Sequence, residues 1–186
     1  MNPLIDQARL DKIMSLPLLK GKHDPDSKYC VMEAAAYIAG EPWSDAPQCV
    51  CPTITAFMVD WNDSLPSEED RDRLLKPLLT HVIGTRGSKK LAERRSYMAL
   101  DWLIRVHTPR WLDLVPALQP HAKALRDIDE ICDLAGATAA GKLTTAAEDA
   151  AWAAAGAAAW DALKPTTEWL QTSAQQLVIR MCEAAE

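Results

Sequence analysis

Residues 30–63 read CVMEAAAYIAGEPWSDAPQCVCPTITAFMVDWND and consist of two apolar segments separated by a loop. The first segment carries apolar residues at helical spacing, with Ser27 as its expected cap and Gly40 as its end. The second segment begins at Pro52, which suits the first turn of a helix because that turn needs no N–H partner. We therefore predict a helix, a loop and a second helix, with a loop that is a candidate carrier of function.

Two more helices have clear start and end signals. Ser67 precedes an acidic first turn and a leucine-rich run that ends at Gly84, and Pro77 inside this run predicts a kink. Ser88 precedes residues 89–106, whose apolar side chains recur at helical spacing. These signals predict a pair of helices joined by the short 84–88 loop.

The remaining signals are also helical. We predict helix starts at Pro3, Thr108 and Pro120, a helix over 128–140, a helix over 146–163 capped by Thr144 or Thr145 and stopped by Pro165, and a C-terminal helix from Thr166 or Thr167. No run of residues alternates like a half-buried strand. The predicted fold is therefore all-α, an irregular helical bundle or short α-solenoid of about seven to nine helices.

Length and charge narrow the class of protein. The 186 residues predict a single helical domain, with an N-terminal helix and turn in 1–27, a motif-bearing core in 28–118 and Ala/Trp-rich helices in 119–186. A net charge of −6 makes nucleic acid an unlikely partner, because that binding relies on Lys and Arg. No apolar run approaches the roughly 18 residues of a membrane span. Since the N-terminus also lacks the apolar region of a signal peptide, we predict a cytoplasmic protein without membrane contact.

The five cysteines are an odd number, which favours reduced thiols in such a protein. They are Cys30, Cys49, Cys51, Cys132 and Cys182. Cys49 and Cys51 have one residue between them, whereas paired zinc ligands usually have two or more, and no second pair follows. Burial in the core is the favoured interpretation for all five, ahead of a metal site or a redox role. We expect no metal and no other cofactor.

A polar group around the first two helices is the candidate ligand-binding site. Its members are Glu33, Glu41, Trp43, Asp45, Asp60, Asn62, Asp63 and Arg86. The carboxylates would cluster if the two helices pair antiparallel, and such a cluster can bind a hard cation or perform acid–base chemistry. Capping and solvated roles are the alternative for the same residues. We also predict that the loop is ordered, with Trp43 inserted in a groove between helices.

A basic stretch follows this region. The GTRGS loop at 84–88 leads into Lys89, Lys90, Arg94 and Arg95, which is a candidate patch for an anion or nucleic acid. The loop lacks the GK[ST] ending of a phosphate-binding P-loop. Glu93 dilutes the positive charge of the stretch, so an interhelical turn followed by a solvated helix face is the favoured interpretation.

The AAEDAAWAAAGAAAWDAL tract at 146–163 is the candidate interface. Trp152 and Trp160 are eight residues apart, a little over two helical turns, and so lie on broadly one side of a helix. Small residues all around this helix allow close approach of a second one. We predict an interface with a partner or a second copy at Trp152, Trp160 and Trp169. Packing of these rings in the chain's own core is the alternative.

Three blocks of the chain carry a family resemblance. CVMEAAAYIAGEPWSDAPQC, RLLKPLLTHVIGTRGS and RRSYMALDWLIRVHTPRWL resemble a family of uncharacterised actinobacterial and actinophage helical proteins, over about residues 29–114. The similarity implies an Ala/Trp-rich tract followed by a C-terminal helix, as in this chain, and implies no particular chemistry. Similar sequences can hold another small residue at the position of Cys51, which argues further against a Cys49/Cys51 metal site.

The function that these features favour is non-enzymatic. We expect a phage or prophage-type accessory protein that acts by protein–protein binding or self-association, because tryptophans are abundant and no catalytic motif occurs. The alternative is a small-ligand-binding protein or an enzyme that uses the acidic, Trp-containing pocket around residues 33–63. A nucleic-acid binder that uses the basic stretch is a third possibility.

Overall fold

The computed structural model describes residues 2–25, 28–154 and 160–184, with the side chains of 152–154 and 160–163 left out. This part of the chain contains eight helices and no strand, which confirms the predicted all-α fold of seven to nine helices. In chain order they are α1 Gln7–Met14, α2 Val31–Ile38, α3 Pro52–Ser64, α4 at 68–82, α5 at 89–112, α6 at 116–126, α7 Leu134–Ala154 and α8 Trp160–Glu183.

The first two helices begin at caps that differ from the predicted ones. α1 is capped by Asp6, whose carboxylate accepts from Arg9 N, so the prediction of a start at Pro3 is wrong. α2 is capped by Cys30, and the predicted cap, Ser27, lies outside the described residues. Gly40, with a φ of +72°, ends α2 as predicted, because this left-handed conformation is costly for any residue with a Cβ.

The signals at α3 and α4 are confirmed. Pro52 is the first residue of α3, and the Ser67 side chain accepts from Asp70 N at the start of α4. Pro77 lies in a 3₁₀ turn, Lys76–Leu78, that interrupts α4 at the predicted kink. Gly84 follows the helix with a φ of +87°. Local sequence signals predicted these helix ends because each end depends on one residue and the backbone next to it.

α5 runs further than predicted. The Ser88 hydroxyl accepts from Leu91 N at its start, and the α-helix continues to Trp102. A π-helical segment, Leu103–His107, then leads directly into Thr108–Leu112, so the prediction of a separate helix from Thr108 is wrong. The wider π turn changes the hydrogen-bond register just before Pro109, and no break occurs.

Three predictions in the C-terminal half are wrong. Residues 127–133 form a loop rather than the start of a helix, and Asp133 caps α7 by accepting from Gly136 N. The Thr144 and Thr145 hydroxyls bond Gly141 O inside α7 instead of capping a new helix. Pro165 lies inside α8 near its start, where loss of one backbone hydrogen bond does not end the helix.

The chain divides into two compact units, which are 1–93 with 178–186, and 94–177. In the first unit the largest buried side chains come from α1 to α4, the segment before α2 and Met181 of α8. They include Ile13, Leu18, Met32, Ile38, Ile54, Met58, Leu75 and Leu79. The second unit has its own core, formed by Ile104, Leu112, Leu118, Ala122, Leu125, Ile131, Ala140 and Ala147. Folding of the whole chain as a single domain stays a prediction.

None of the described helices combines the length and the apolar composition that crossing a membrane requires.

Candidate functional site

The segment at residues 18–23 is the centre of the candidate site in the first unit. It follows α1 and pairs with the residue before Cys30, since Leu19 N donates to Tyr29 O at 2.8 Å. Gly21 has a φ of +85°, which lets the backbone turn and present its N–H to Asp63 Oδ1 at 2.9 Å. We call these residues the 18–23 segment.

Glu33 holds one end of this segment from inside the core. Its side chain is fully buried, and one carboxylate oxygen accepts from His23 N at 2.7 Å. The other oxygen accepts from Cys30 N at 2.8 Å and faces His23 Nδ1 at 3.0 Å. This contact is a hydrogen bond in the tautomer that carries its proton on Nδ1, because a carboxylate only accepts. The imidazole and two backbone N–H groups compensate the burial of this acid.

Asn62 and Asp63, at the C-terminal end of α3, hold the other end. The buried Asn62 amide donates to Leu19 O at 3.0 Å and to Asp63 Oδ1 at 2.9 Å, and its oxygen accepts from Val31 N at 3.3 Å. The buried guanidinium of Arg71 donates to Asn62 O at 2.9 Å and so braces the end of α3. These bonds tie α2, α3 and the 18–23 segment together.

Two residues of the α2–α3 loop also reach the 18–23 segment. Trp43 is half-buried, its Nε1 donates to His23 O at 2.7 Å, and its ring lies 5.0 Å from that of Tyr29. Asp45 forms an ion pair with Lys22 at 3.3 Å. Five of the eight candidate residues, namely Glu33, Trp43, Asp45, Asn62 and Asp63, therefore contact one short segment.

The other three candidate residues lie apart from this group. Glu41 closes its own loop by accepting from Gln48 N at 2.5 Å. Asp60 is exposed on α3. Arg86 has an exposed side chain, and its backbone N–H donates to Cys49 O at 3.0 Å. The eight residues thus do not converge on one pocket, and the oxygens of Glu33 and Asn62 bond groups of the chain itself.

The cysteines are free thiols, and their surroundings differ. Burial raises the pKa of Cys30 to about 12, against a smaller lowering by the backbone N–H of Glu33, and burial, followed by Glu41, raises the pKa of Cys49 to about 11. Both thiols are therefore weak nucleophiles and weak metal ligands at neutral pH. Cys132 is exposed in the 127–133 loop and Cys182 is half-buried, so core burial is a wrong prediction for Cys132. Across the described residues no three His, Cys, Asp or Glu side chains are placed to hold a metal.

The basic stretch does not form one surface. Lys89, Lys90 and Arg94 are exposed, whereas Arg95 is buried, so Arg95 is not available to a nucleic acid. In the 84–88 loop, Gly84 N and Arg86 N both donate to Cys49 O. These two N–H groups are occupied by the chain's own backbone rather than directed at an anion.

A second group of functional candidates lies in the second unit, between α5 and α8. Trp102 Nε1 donates to Ser173 Oγ at 2.7 Å, and the Arg110 guanidinium lies 5.0 Å from the centroid of the Trp169 ring. Trp169 is 45% exposed. We call Arg110 and Trp169 the Arg110–Trp169 surface. The side chains of the other predicted interface residues, Trp152 and Trp160, lie outside the described part of the chain.

His107 in the π-helical segment lies next to this surface. Its ring is 5.2 Å from that of Trp102, and its Nε2 accepts from Trp111 Nε1 at 3.3 Å. Burial lowers the pKa of His107, which keeps the imidazole neutral. The sequence predictions missed Arg110 as a neighbour of Trp169, because the two residues belong to different helices and only the tertiary structure brings them together.

No family model, no curated protein and no solved structure matches this chain.

Proposed function

We propose that the chain is a non-enzymatic accessory protein that binds a protein partner, or a second copy of itself, through the Arg110–Trp169 surface. The observation that carries this proposal is the exposed Trp169 ring covered on one side by a guanidinium. Trp and Arg are the residues most enriched among those that dominate binding energy at protein interfaces.

The surface is also held in place before any partner arrives. The bond from Trp102 to Ser173 lies one helical turn from Trp169 along α8, so it restricts movement of the two helices where the ring projects. An anchor that is already ordered loses little side-chain entropy on binding. This preorganisation supports recognition of a protein surface.

The use of polar groups in the first unit supports a non-enzymatic role. Glu33 and Asn62 bond backbone groups of α2 and the 18–23 segment, which is what a structural clamp requires. The alternative of a ligand-binding protein or enzyme rests on one observation, the His23 imidazole oriented by buried Glu33, an arrangement also found for general bases. Its test is ligand screening in which His23→Gln abolishes a hit.

The biological setting is proposed from the resemblance alone. A phage or prophage role is supported by the similarity of the three sequence blocks to actinobacterial and actinophage proteins. A partner encoded by a phage or its host, recovered from an infected actinobacterial culture, would support this setting.

The proposal is tested by capture of a partner from such a lysate, with mass-spectrometric identification. The baits are the unmodified chain, Trp169→Ala and the matched control Leu134→Ala, which truncates another exposed apolar residue of the same unit. We expect the unmodified chain and Leu134→Ala to retain one partner. Trp169→Ala should lose about 2 kcal/mol of binding free energy, which weakens the Kd roughly 30-fold. Equal retention by all three would refute a role for this surface.

A further inference from the structure

The second unit contains an open cavity of about 340 Å³ beside the loop between α6 and α7. Its lining includes the apolar side chains of Ile128 in the loop and of Ala139, Ala140 and Leu143 in α7. Asp129 and Glu130 line the same cavity. The cavity therefore combines a small apolar surface with carboxylates beside it.

The loop that surrounds the cavity is rich in carboxylates, and two of them have no partner among the described residues. Residues 127–133 read DIDEICD, with four carboxylates and no cation. Asp127 is paired with Lys123, and Asp133 accepts from Gly136 N at the start of α7. Asp129 and Glu130 are exposed, and within the described residues neither has an ion pair or a hydrogen bond. Two carboxylates are thus open to a ligand from outside.

We propose that this cavity binds a Lys or Arg side chain presented by an exposed segment of the protein partner. The aliphatic stem of such a residue would cover Ala139, Ala140 and Leu143, while its charged end would lie between Asp129 and Glu130. Charge complementarity of this kind sets specificity and association rate more than affinity. This inference rests on the proposed function and specifies the chemistry of the partner.

A cationic side chain suits the site better than a bare metal ion does. The described residues offer no three metal-ligating side chains together, and the apolar residues of the lining have no side-chain oxygen to replace the water ligands of an ion. An amphipathic cation uses both parts of the cavity, whereas an anion would be repelled by the loop.

The test uses the full ¹⁵N-labelled chain and the peptide acetyl-Gly-Arg-Gly-Lys-Gly-amide, followed by NMR. We expect saturable shifts of the Gly136 and Ala139 amides, and none with the same peptide carrying Gln in place of Arg and Lys. Asp129→Asn with Glu130→Gln should weaken binding by about fivefold or more, since both charged contacts are lost. The matched control, Glu148→Gln with Asp149→Asn, removes two exposed carboxylates elsewhere on α7 and should leave binding unchanged.

The outcomes separate this inference from the proposed function. No shift at the cavity, equal shifts with the Gln peptide, or equal binding by the Asp129/Glu130 variant would overturn the cationic site. Titration with spermidine distinguishes a free polyamine from a side chain, and tighter binding of spermidine than of the peptide would also overturn it. Loss of the site with Trp169-dependent capture intact would leave the proposed function standing.

Discussion

Glu33 and Asn62 bond backbone groups of α2 and the 18–23 segment, and we call this set of bonds the clamp. The clamp depends most on Glu33. Its carboxylate is fully buried and accepts three hydrogen bonds from His23 and Cys30. A buried acid without these partners would cost several kcal/mol, so the acid and the 18–23 segment stabilise each other. At the residue scale, the candidate site is therefore a set of side chains that form hydrogen bonds with backbone N–H and C=O groups.

The first prediction concerns this carboxylate. Glu33→Gln keeps the size of the side chain but places an NH₂ group against N–H donors, so we expect a loss of about 2–4 kcal/mol in the free energy of unfolding. Urea denaturation followed by circular dichroism measures it. Asp60→Asn, at an exposed position of the same unit, is the control and should stay within about 0.5 kcal/mol. Equal stability of the two variants would contradict the clamp.

Trp43 allows a second prediction at this scale. The ring is half-buried against Tyr29 and its Nε1 donates to His23 O, so Trp43→Ala should destabilise by about 2–3 kcal/mol. Trp43→Phe keeps the ring contact and loses only the hydrogen bond, for an expected cost of about 1 kcal/mol. The same urea titration distinguishes them. If Trp43→Ala cost under 0.5 kcal/mol, roughly the value of an exposed site, the ring would not be a structural anchor.

At the scale of elements, the helices are set by a mixture of end signals and packing. Gly40 and Gly84 adopt positive φ and end α2 and α4 where the sequence predicts. Pro165 and Pro109 do not end helices, although both lack an N–H donor. Leu170, Ala174 and Leu177 of α8 are buried, and this burial outweighs the loss of one backbone hydrogen bond.

The behaviour of Pro165 yields the third prediction. Pro165→Ala restores a backbone donor inside α8, so we expect the free energy of unfolding to rise by about 1–2 kcal/mol, which increases Tm. Calorimetry measures the change. Lys164→Ala, at the neighbouring exposed position, is the control and should leave Tm nearly unchanged. A fall in Tm for Pro165→Ala would show that the proline stabilises the start of α8 instead.

The π-helical element gives a pH-dependent prediction. Burial lowers the pKa of His107 below the ordinary 6.5. Below that pH the unfolded chain therefore binds a proton at His107 more readily than the folded chain does. The contribution of His107 to stability should therefore fall as the pH drops from about 7 to 5, by up to about 1 kcal/mol per pH unit.

The measurement for His107 is urea unfolding at several pH values, with His107→Gln as the test variant. Gln does not titrate, so the pH dependence of stability should become shallower over this window. His81→Gln, at an exposed position, is the matched control and should keep the original slope. An unchanged slope in His107→Gln would contradict the assignment.

At the scale of the whole molecule, the two units carry different tasks in the proposed function. The first unit uses its polar residues to fasten the 18–23 segment, while the second presents Trp169, Arg110 and the acidic cavity to solvent. Under the proposed function, recognition of the partner is therefore a task of the second unit. This division also makes association of the chain separable from the stability of the clamp.

The fifth prediction concerns self-association. If the partner is a second copy, light scattering at high micromolar concentration should give a dimer for the unmodified chain and for Leu134→Ala. Trp169→Ala should then give a monomer, because truncation of the exposed ring removes the anchor of the interface. A monomer in all three samples would exclude the second copy as the occupant and leave a different protein as the partner.

The sequence by itself determined the all-α class, the start of α3 at Pro52 and the two ends of α4 at Ser67 and Gly84, because each of these residues acts on the backbone next to it. Only the tertiary structure decided which side chains meet. Glu33 pairs with the His23 imidazole, and Trp43 donates a hydrogen bond to the His23 carbonyl. Asp60 and Arg86 remain apart from this group. Those contacts depend on how the 18–23 segment lies across α2 and α3, and helical periodicity contains no information about that placement.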